Sequence, residues 1–178
     1  MADPLYKLRT NFLLQNYQAV VNDAIKTTAN TPDLVVEKDV LVYRSYVGLG
    51  DYSVPLSEIS ASEPAPLQVV KQLALYFQGE SKNEALEQIQ TWLTEGYDAG
   101  EILLIVAATV YAHEGNVNEA LKFAHQAKSL EGRLLFVSLL LRLYRVDLAE
   151  KEVLEMQRIE EDHNATQLAI ALTNLHLV

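Results

Sequence analysis

The stretch EILLIVAATVYAHEGNVNEALKFAHQAK, residues 101–128, predicts two antiparallel helices joined by a tight turn. Its first half is almost wholly apolar and stops at Gly115, a residue type that commonly follows a helix. Asn116 with Glu119 matches a capping box, in which side chains bond to the free N–H groups where a helix starts. The two predicted helices are Glu101 to Glu114 and Asn118 to Lys128.

The same order of tyrosine, polar or Gly turn and apolar helix recurs along the chain. Tyr46, Tyr76 and Tyr111 lie at equivalent points, 30 and 35 residues apart. These spacings fall near the period of about 34 residues of tetratricopeptide units, which are paired antiparallel helices. The sequence therefore predicts an all-α, tetratricopeptide-like array of helical hairpins, an α-solenoid with a right-handed superhelix. Such arrays present a concave surface that holds another protein.

Residues at fixed distances from the start of each second helix carry the register of the repeat. The predicted starts are Tyr17, Tyr52, Lys82, Val117 and Val146. A small-residue column follows three positions later: Val20, Pro55, Ala85, Ala120 and Ala149. Two apolar columns accompany it: Leu8, Tyr43, Leu73, Ala108 and Val137, and Ala24, Ile59, Ile89, Ala124 and Val153. Together they form the single buried stripe of a helix, and we expect the three repeat tyrosines to pack between helices.

Local signals at helix starts support this pattern, with two departures. Further capping boxes are predicted at Ser81 with Glu84 and Asp147 with Glu150, and first-turn prolines follow capping residues in Asp3-Pro4 and Thr31-Pro32. Pro55 limits the second helix of unit two to about two turns, before an extended linker around Glu63 to Pro66. The end of the chain, Asp162 to Val178, reads as a first helix with no second helix to cover its apolar residues.

Composition excludes several classes of function. The net charge is −10 and no run of Lys or Arg occurs, which argues against nucleic acid and against direct adhesion to an anionic membrane. With no Cys, and four His lacking the i,i+4 spacing of metal ligands, we expect no metal site. No glycine-rich phosphate loop or nucleophile elbow is present, so no cofactor and no enzymatic activity are predicted. The opening MADPLYKLRT lacks the apolar segment of a secretory signal.

Five segments resemble the epsilon subunits of the COPI coatomer, epsilon-COP. They are DPLYKLRTNFLLQNYQAVVND (Asp3 to Asp23), VEKDVLVYRSYVGLGDY (Val36 to Tyr52), PLQVVKQLALYF (Pro66 to Phe77), HEGNVNEALKFAH (His113 to His125) and AEKEVLEMQRIEEDHNATQLAIALTNL (Ala149 to Leu175). The resemblance covers nearly the whole chain in one order, and members of that family are longer. We therefore expect residues 1–178 to form one domain, of about five helix pairs plus an unpaired last helix, truncated at its C-terminus.

The resemblance implies a non-enzymatic subunit of the COPI vesicle coat. Its helical repeats would bind and stabilise the C-terminal region of alpha-COP, in Golgi-to-endoplasmic-reticulum and intra-Golgi transport. The implied location is the cytoplasm, peripheral on Golgi membranes and COPI-coated vesicles, with membrane contact only through the rest of the coat.

The partner-binding groove is predicted on the first helices of the units, which line the concave side of tetratricopeptide arrays. The predicted groove residues are Arg9, Phe12, Arg44, Val47, Ala74, Phe77, Thr109 and Ala112. Apolar residues with two arginines suit an apolar or acidic segment. Phe12 and Phe77 either face this groove or pack on neighbouring helices. Because the chain is acidic, we also expect Lys or Arg at the rim of the partner's binding segment.

A general tetratricopeptide adaptor or co-chaperone, binding peptides in its groove, is the alternative function. Adaptors that grip a C-terminal carboxylate need Lys, Asn and Arg on consecutive first helices. The matching positions are apolar here: Leu5, Val40, Val70 and Ile105. An all-helical enzyme would need convergent ionisable groups, for which the sequence gives no positive sign. Self-association through the exposed last helix is a further prediction.

Overall fold

The computed structural model describes residues 3–176, and every regular element in that range is an α-helix. The first helices are α1 (Tyr6–Leu13), α2 (Tyr17–Ala24), α3 (Pro32–Leu49), α4 (Ser53–Glu58), α5 (Ala65–Gln78) and α6 (Lys82–Glu95). They are followed by α7 (Glu101–His113), α8 (Val117–Gln126), α9 (Leu130–Arg142), α10 (Val146–Glu160) and α11 (Asn164–His176). The all-α prediction is confirmed.

The helices group into two compact units that divide inside α7. The first unit runs up to Leu103 and the second starts at Leu104. A single domain over residues 1–178 and a right-handed superhelix stay predictions.

The first unit begins with a core shared by α1, α2 and α3. Its buried members are Leu5, Leu8, Val20, Ala24 and Leu41. The ring of Tyr17 lies against Gly48, so closely that a Cβ at Gly48 would approach the ring Cε2 to 2.4 Å. A side chain at Gly48 would therefore have to displace the Tyr17 ring, which packs between α2 and α3.

A second cluster joins α3 to α5. It consists of Val40, Ile59, Leu67 and Val70, with Val36, Tyr43 and Ile102 packed against it. Helix α4 has only six residues and buries Pro55, as the proline predicted. The chain is extended at Pro64 and α5 starts at Ala65, so the linker predicted around Glu63 to Pro66 ends earlier than expected. Helix α6 then packs on α5 through Ala85 and Ile89.

In the second unit, small residues allow close packing of α7, α8 and α9. Ala108, Ala112, Ala120, Ala124 and Leu139 form one buried cluster. Helices α7 and α8 have the predicted bounds to within one or two residues. Helices α9, α10 and α11 each contact the other two. The predicted last helix therefore exists, and Leu177 and Val178 lie outside the described residues.

The predicted columns are buried almost throughout. All five residues of the small-residue column are buried, as are all five of the column that contains Ile89. The remaining column is buried except at Tyr43, which is half-buried and donates a hydrogen bond from its hydroxyl to Glu58 Oε2 at 3.1 Å. Tyr76 is buried, whereas Tyr46 and Tyr111 are half-buried. The repeat register read from the sequence is confirmed.

The helix caps agree with prediction at two places. Asn116 Oδ1 accepts a hydrogen bond from the Glu119 N–H at 3.4 Å, and Thr31 Oγ1 accepts one from the Leu34 N–H at 3.3 Å. The reciprocal half of the box at Asn116 is replaced, since its N–H donates to the Tyr111 carbonyl at 2.9 Å. The cap predicted at Asp3 is wrong: α1 starts at Tyr6 with Leu5 as its capping residue, and Asp3 Oδ1 accepts the Leu5 N–H before the helix begins.

Two predicted capping boxes are wrong. The Ser81 side chain makes no capping bond at the start of α6. At α10 the capping position is Arg145, whose guanidinium Nε and Nη2 donate to Asp147 at 2.9 and 3.0 Å. The Arg145 guanidinium lowers the pKa of Asp147 from its usual value. The Arg145 guanidinium thus binds the Asp147 carboxylate, which the predicted capping box would have used.

The last helix buries a different face from the one its apolar residues suggested. Ala165, Thr166, Ala169 and Thr173 are its buried residues. Leu175 is 73% exposed, and Leu168, Ile170 and Leu172 are half-buried. The larger apolar residues of α11 therefore stay partly accessible, as predicted for an uncovered helix.

Candidate partner-binding surface

The clearest cationic feature of the predicted groove is a pair of side chains from α1 and α3. The Arg44 guanidinium carbon lies 4.5 Å from the centre of the Phe12 ring. The same ring packs against Tyr17, with centroids 5.7 Å apart, and against the core shared by α1, α2 and α3. Phe12 was predicted either to face the groove or to pack on neighbouring helices. It packs on neighbouring helices and also remains half-exposed. A cation on an aromatic face offers a partner both charge and apolar area.

Arg9, the second predicted groove cation, is engaged within the fold. Its Nε and Nη2 donate to the two carboxylate oxygens of Glu37 at 2.6 and 2.8 Å, and it also pairs with Asp3. The hydrogen bond to Glu37 raises the pKa of Arg9 above its ordinary value. Such a two-pronged pair holds α1 on α3. Arg9 therefore has less charge to offer an acidic partner than the sequence suggested.

The three small or branched groove residues lie in the interior. Val47, Ala74 and Ala112 are 9%, 0% and 6% exposed. As folded here they support the helices that carry the surface and present almost no area of their own.

Phe77 and Thr109 complete the predicted set. Phe77 on α5 is half-exposed and its ring meets Tyr76 edge-on, with centroids 5.0 Å apart. Thr109, in the second unit, donates its hydroxyl to the Ile105 carbonyl at 2.8 Å and is half-buried. Phe12, Arg44 and Phe77 are thus the first-unit residues of the set with both accessible area and binding chemistry.

The first unit also contains an apolar pocket that no sequence pattern predicts. It is formed by α3, by Pro64 and the first turn of α5, and by Ala99 and the start of α7, and has a volume of about 410 Å³. The lining residues are Asp33, Val36, Glu37, Val40, Pro64, Pro66, Ala99 and Ile102. We call this the α3 pocket. Only the two prolines stood out in the sequence, as linker residues.

Carboxylates gather around the outer side of α3. Burial raises the pKa of Asp39 above its usual value, and the charge of Glu63 adds to the effect while Lys38 opposes it. Burial, together with the hydrogen bond to Glu58, raises the pKa of Tyr43 to about 12. This part of the surface is consequently acidic, in contrast to the Phe12–Arg44 pair.

The described residues offer neither a metal-binding cluster nor a membrane-spanning helix. Within residues 3–176, no three His, Asp or Glu side chains are grouped so that they could hold a metal ion. None of the helices in that range combines the length and the apolar character needed to cross a membrane.

The positions that a carboxylate-gripping adaptor would need are all interior. Leu5, Val40, Val70 and Ile105 are each less than 9% exposed. Nothing at these positions can bind a carboxylate.

Comparison with known proteins decides the family. The sequence model of the coatomer epsilon subunit matches residues 1–177. The chain belongs to the coatomer epsilon subunit family. This family membership confirms the resemblance seen in the five sequence segments.

Individual epsilon subunits show how much of the family's length is present. Coatomer subunit epsilon-1 of Arabidopsis thaliana is 40% identical over 177 residues, 97% of this chain and 60% of the relative. Coatomer subunit epsilon-1 of Oryza sativa subsp. japonica is 39% identical over 174 residues, 96% and 60% of the two chains. Coatomer subunit epsilon of Caenorhabditis elegans is 32% identical over 174 residues, 97% and 60%. The chain thus spans about 60% of the length of these epsilon subunits.

Proposed function

We propose that the protein is a non-enzymatic structural subunit of the COPI vesicle coat. It binds and stabilises the C-terminal region of alpha-COP, and acts in Golgi-to-endoplasmic-reticulum and intra-Golgi transport. Membership of the coatomer epsilon subunit family, over residues 1–177, is the observation that carries this proposal. Its place is the cytoplasm, on Golgi membranes and coated vesicles through the other coat subunits.

The helical hairpins support a role in holding another protein. The helix pairs bury their small-residue columns and leave Phe12, Arg44 and Phe77, which lie on first helices, partly accessible. Aromatic and Arg side chains are the types that contribute most at protein interfaces. The binding surface therefore centres on Phe12 and Arg44, with Phe77 on α5 as a further aromatic anchor.

Calorimetric titration of this chain with the purified C-terminal region of alpha-COP tests the function. The expected result is saturable binding, weakened about tenfold or more by Phe77→Asp, since truncating an interface anchor costs about 2 kcal/mol. Ile25→Asp is the matched control, because Ile25 is an apolar residue of the same unit that is 86% exposed. It should leave the affinity unchanged.

The length of the chain requires a second arm in the same experiment. The titration is repeated with an epsilon subunit extended to the length of the relatives. Binding by the extended chain alone would show that the further residues complete the surface. Absence of binding in both arms would overturn the proposal.

A further inference from the structure

The α3 pocket has a rigid apolar floor and walls. Val40 and the partly buried Val36 and Ile102 belong both to the pocket and to the core cluster between α3 and α5. Pro64 and Pro66 fix the backbone on one side. The packing of the core therefore sets the shape of this side of the pocket.

Ala99, another lining residue, follows an aromatic stack in the chain. The rings of Trp92 and Tyr97 lie 4.7 Å apart and nearly parallel, at an angle of 12°. The Ala99 N–H donates to the Tyr97 carbonyl at 3.0 Å, and Ala99, which is 3% exposed, lines the pocket. A preformed site of this kind costs little ordering entropy on binding.

The polar groups of the pocket are carboxylates at its edge. Asp33 and Glu37 are its only charged lining residues, and Glu63 immediately precedes Pro64. Glu37 forms an ion pair with Arg9, and the charge of Lys38 acts on Asp39, the residue that follows it. Asp33 is exposed and makes no ion pair within residues 3–176. The edge therefore carries an excess of negative charge beside an apolar interior.

We propose that the α3 pocket binds a large apolar side chain of a basic peptide segment of a protein partner, with a Lys or Arg of that segment beside Asp33. A site for a small molecule would aim polar groups inward to fix its orientation. Here the interior of the pocket is apolar and the carboxylates lie at its edge. This arrangement suits an apolar side chain of a peptide whose backbone remains outside the pocket. The proposal goes beyond the Phe12–Arg44 surface and does not require the partner to be alpha-COP.

Methyl-resolved NMR of the labelled chain gives a local readout of binding. The probe is the peptide acetyl-GKKFKKG-amide, titrated to millimolar concentration. The methyl signals of Val36, Val40 and Ile102 should shift saturably. They should not shift with the peptide in which Ser replaces Phe, and the peptide in which Glu replaces Lys should bind about tenfold more weakly or worse.

Two pairs of variants separate the pocket from a general effect. Val36→Trp fills the pocket and should abolish the shifts at Val40 and Ile102, whereas Val35→Trp, on the adjacent exposed position, should leave them. Asp33→Lys changes only an exposed side chain and should weaken binding about fivefold or more, while Glu87→Lys on α6 should not.

Several outcomes would overturn the proposal. They are equal binding of the basic and acidic peptides, binding that survives both Val36→Trp and Asp33→Lys, and no saturable shift with any peptide. Pocket methyl signals that change with protein concentration alone would identify a second copy of the chain as the occupant instead. Titration of the Val36→Trp chain with the alpha-COP region distinguishes the two proposals, because binding there can persist when the pocket is blocked.

Discussion

Replacing Gly132 by alanine tests the packing between α8 and α9 with a prediction whose sign is informative. On helix propensity alone, Gly→Ala in a helix should stabilise the fold by about 0.5–1 kcal/mol. In the structure, however, a Cβ at Gly132 would lie 2.3 Å from the Cβ of Ala127. Since the Ala127 Cβ is fixed to its own backbone, the start of α9 must move away.

The magnitude follows from these opposing effects. Overpacking a close-fitting interior typically costs about 1–3 kcal/mol, and an overlap of more than 1 Å on a rigid neighbour belongs to the upper half of that range. After the gain in propensity is subtracted, Gly132→Ala should destabilise the chain by about 1–2 kcal/mol. For a chain of this size that corresponds to a fall in Tm of about 3–6 °C.

Urea unfolding followed by circular dichroism measures the effect, in a cycle with Ala127→Gly. Without the Ala127 methyl group the clash is absent, so Gly132→Ala should become neutral or stabilising in that background. The two changes should couple by about 2 kcal/mol. An increase in stability on Gly132→Ala in the parent chain, equal to that in the Ala127→Gly background, would refute the close contact.

Three further outcomes are expected. Ala120→Trp should cost about 1–3 kcal/mol by wedging α8 from α7, whereas Trp at the exposed Asn118 should have little effect; equal melting of both variants would mean that the repeat register is wrong. Tyr43, with its pKa raised to about 12, should be among the last phenols to ionise in a spectrophotometric titration. Because the phenol of the unfolded chain ionises near pH 10, the contribution of Tyr43 to the free energy of unfolding is present below pH 10 and is lost as pH rises towards 12. Tyr43→Phe should remove this loss of stability, and a variant whose stability depends on pH as the parent's does would show that Tyr43 is not its source. Affinity for alpha-COP should fall as salt is raised, and a salt-independent affinity would argue against basic groups at the partner's rim.

The repeat register could be predicted from the sequence because small residues recur where two helices must approach. Val20, Ala85 and Ala149 are fully buried, and each lies where the second helix of its hairpin approaches the first. A column of this kind is a local pattern repeated several times, so sequence spacing alone locates it. The buried Pro55 and the short α4 followed for the same reason.

Side-chain partners distant in sequence could not be predicted in this way. Arg9 was expected to face a ligand, but Glu37, 28 residues further on, binds its guanidinium. The capping box at Asp147 failed because Arg145 competes for the carboxylate. A charged side chain can pair with any of several groups that the fold brings near it, and the spacing of residues in the sequence does not identify which pair forms.

The α3 pocket could not be predicted from the sequence because no repeated pattern of residues produces it. Val36, Pro64 and Ala99 come from separate segments that meet only in the folded unit. Each alone is typical of a helix face, a linker or a turn. Only packing brings these residues together.

Amide hydrogen exchange of the chain, with and without the C-terminal region of alpha-COP, tests whether the first helices of the first unit form the binding surface. We expect alpha-COP to slow exchange in α1, α3 and α5, the helices that carry Phe12, Arg44 and Phe77. Unchanged exchange throughout, at concentrations where calorimetry shows the complex to be formed, or protection confined to α10 and α11, would contradict it.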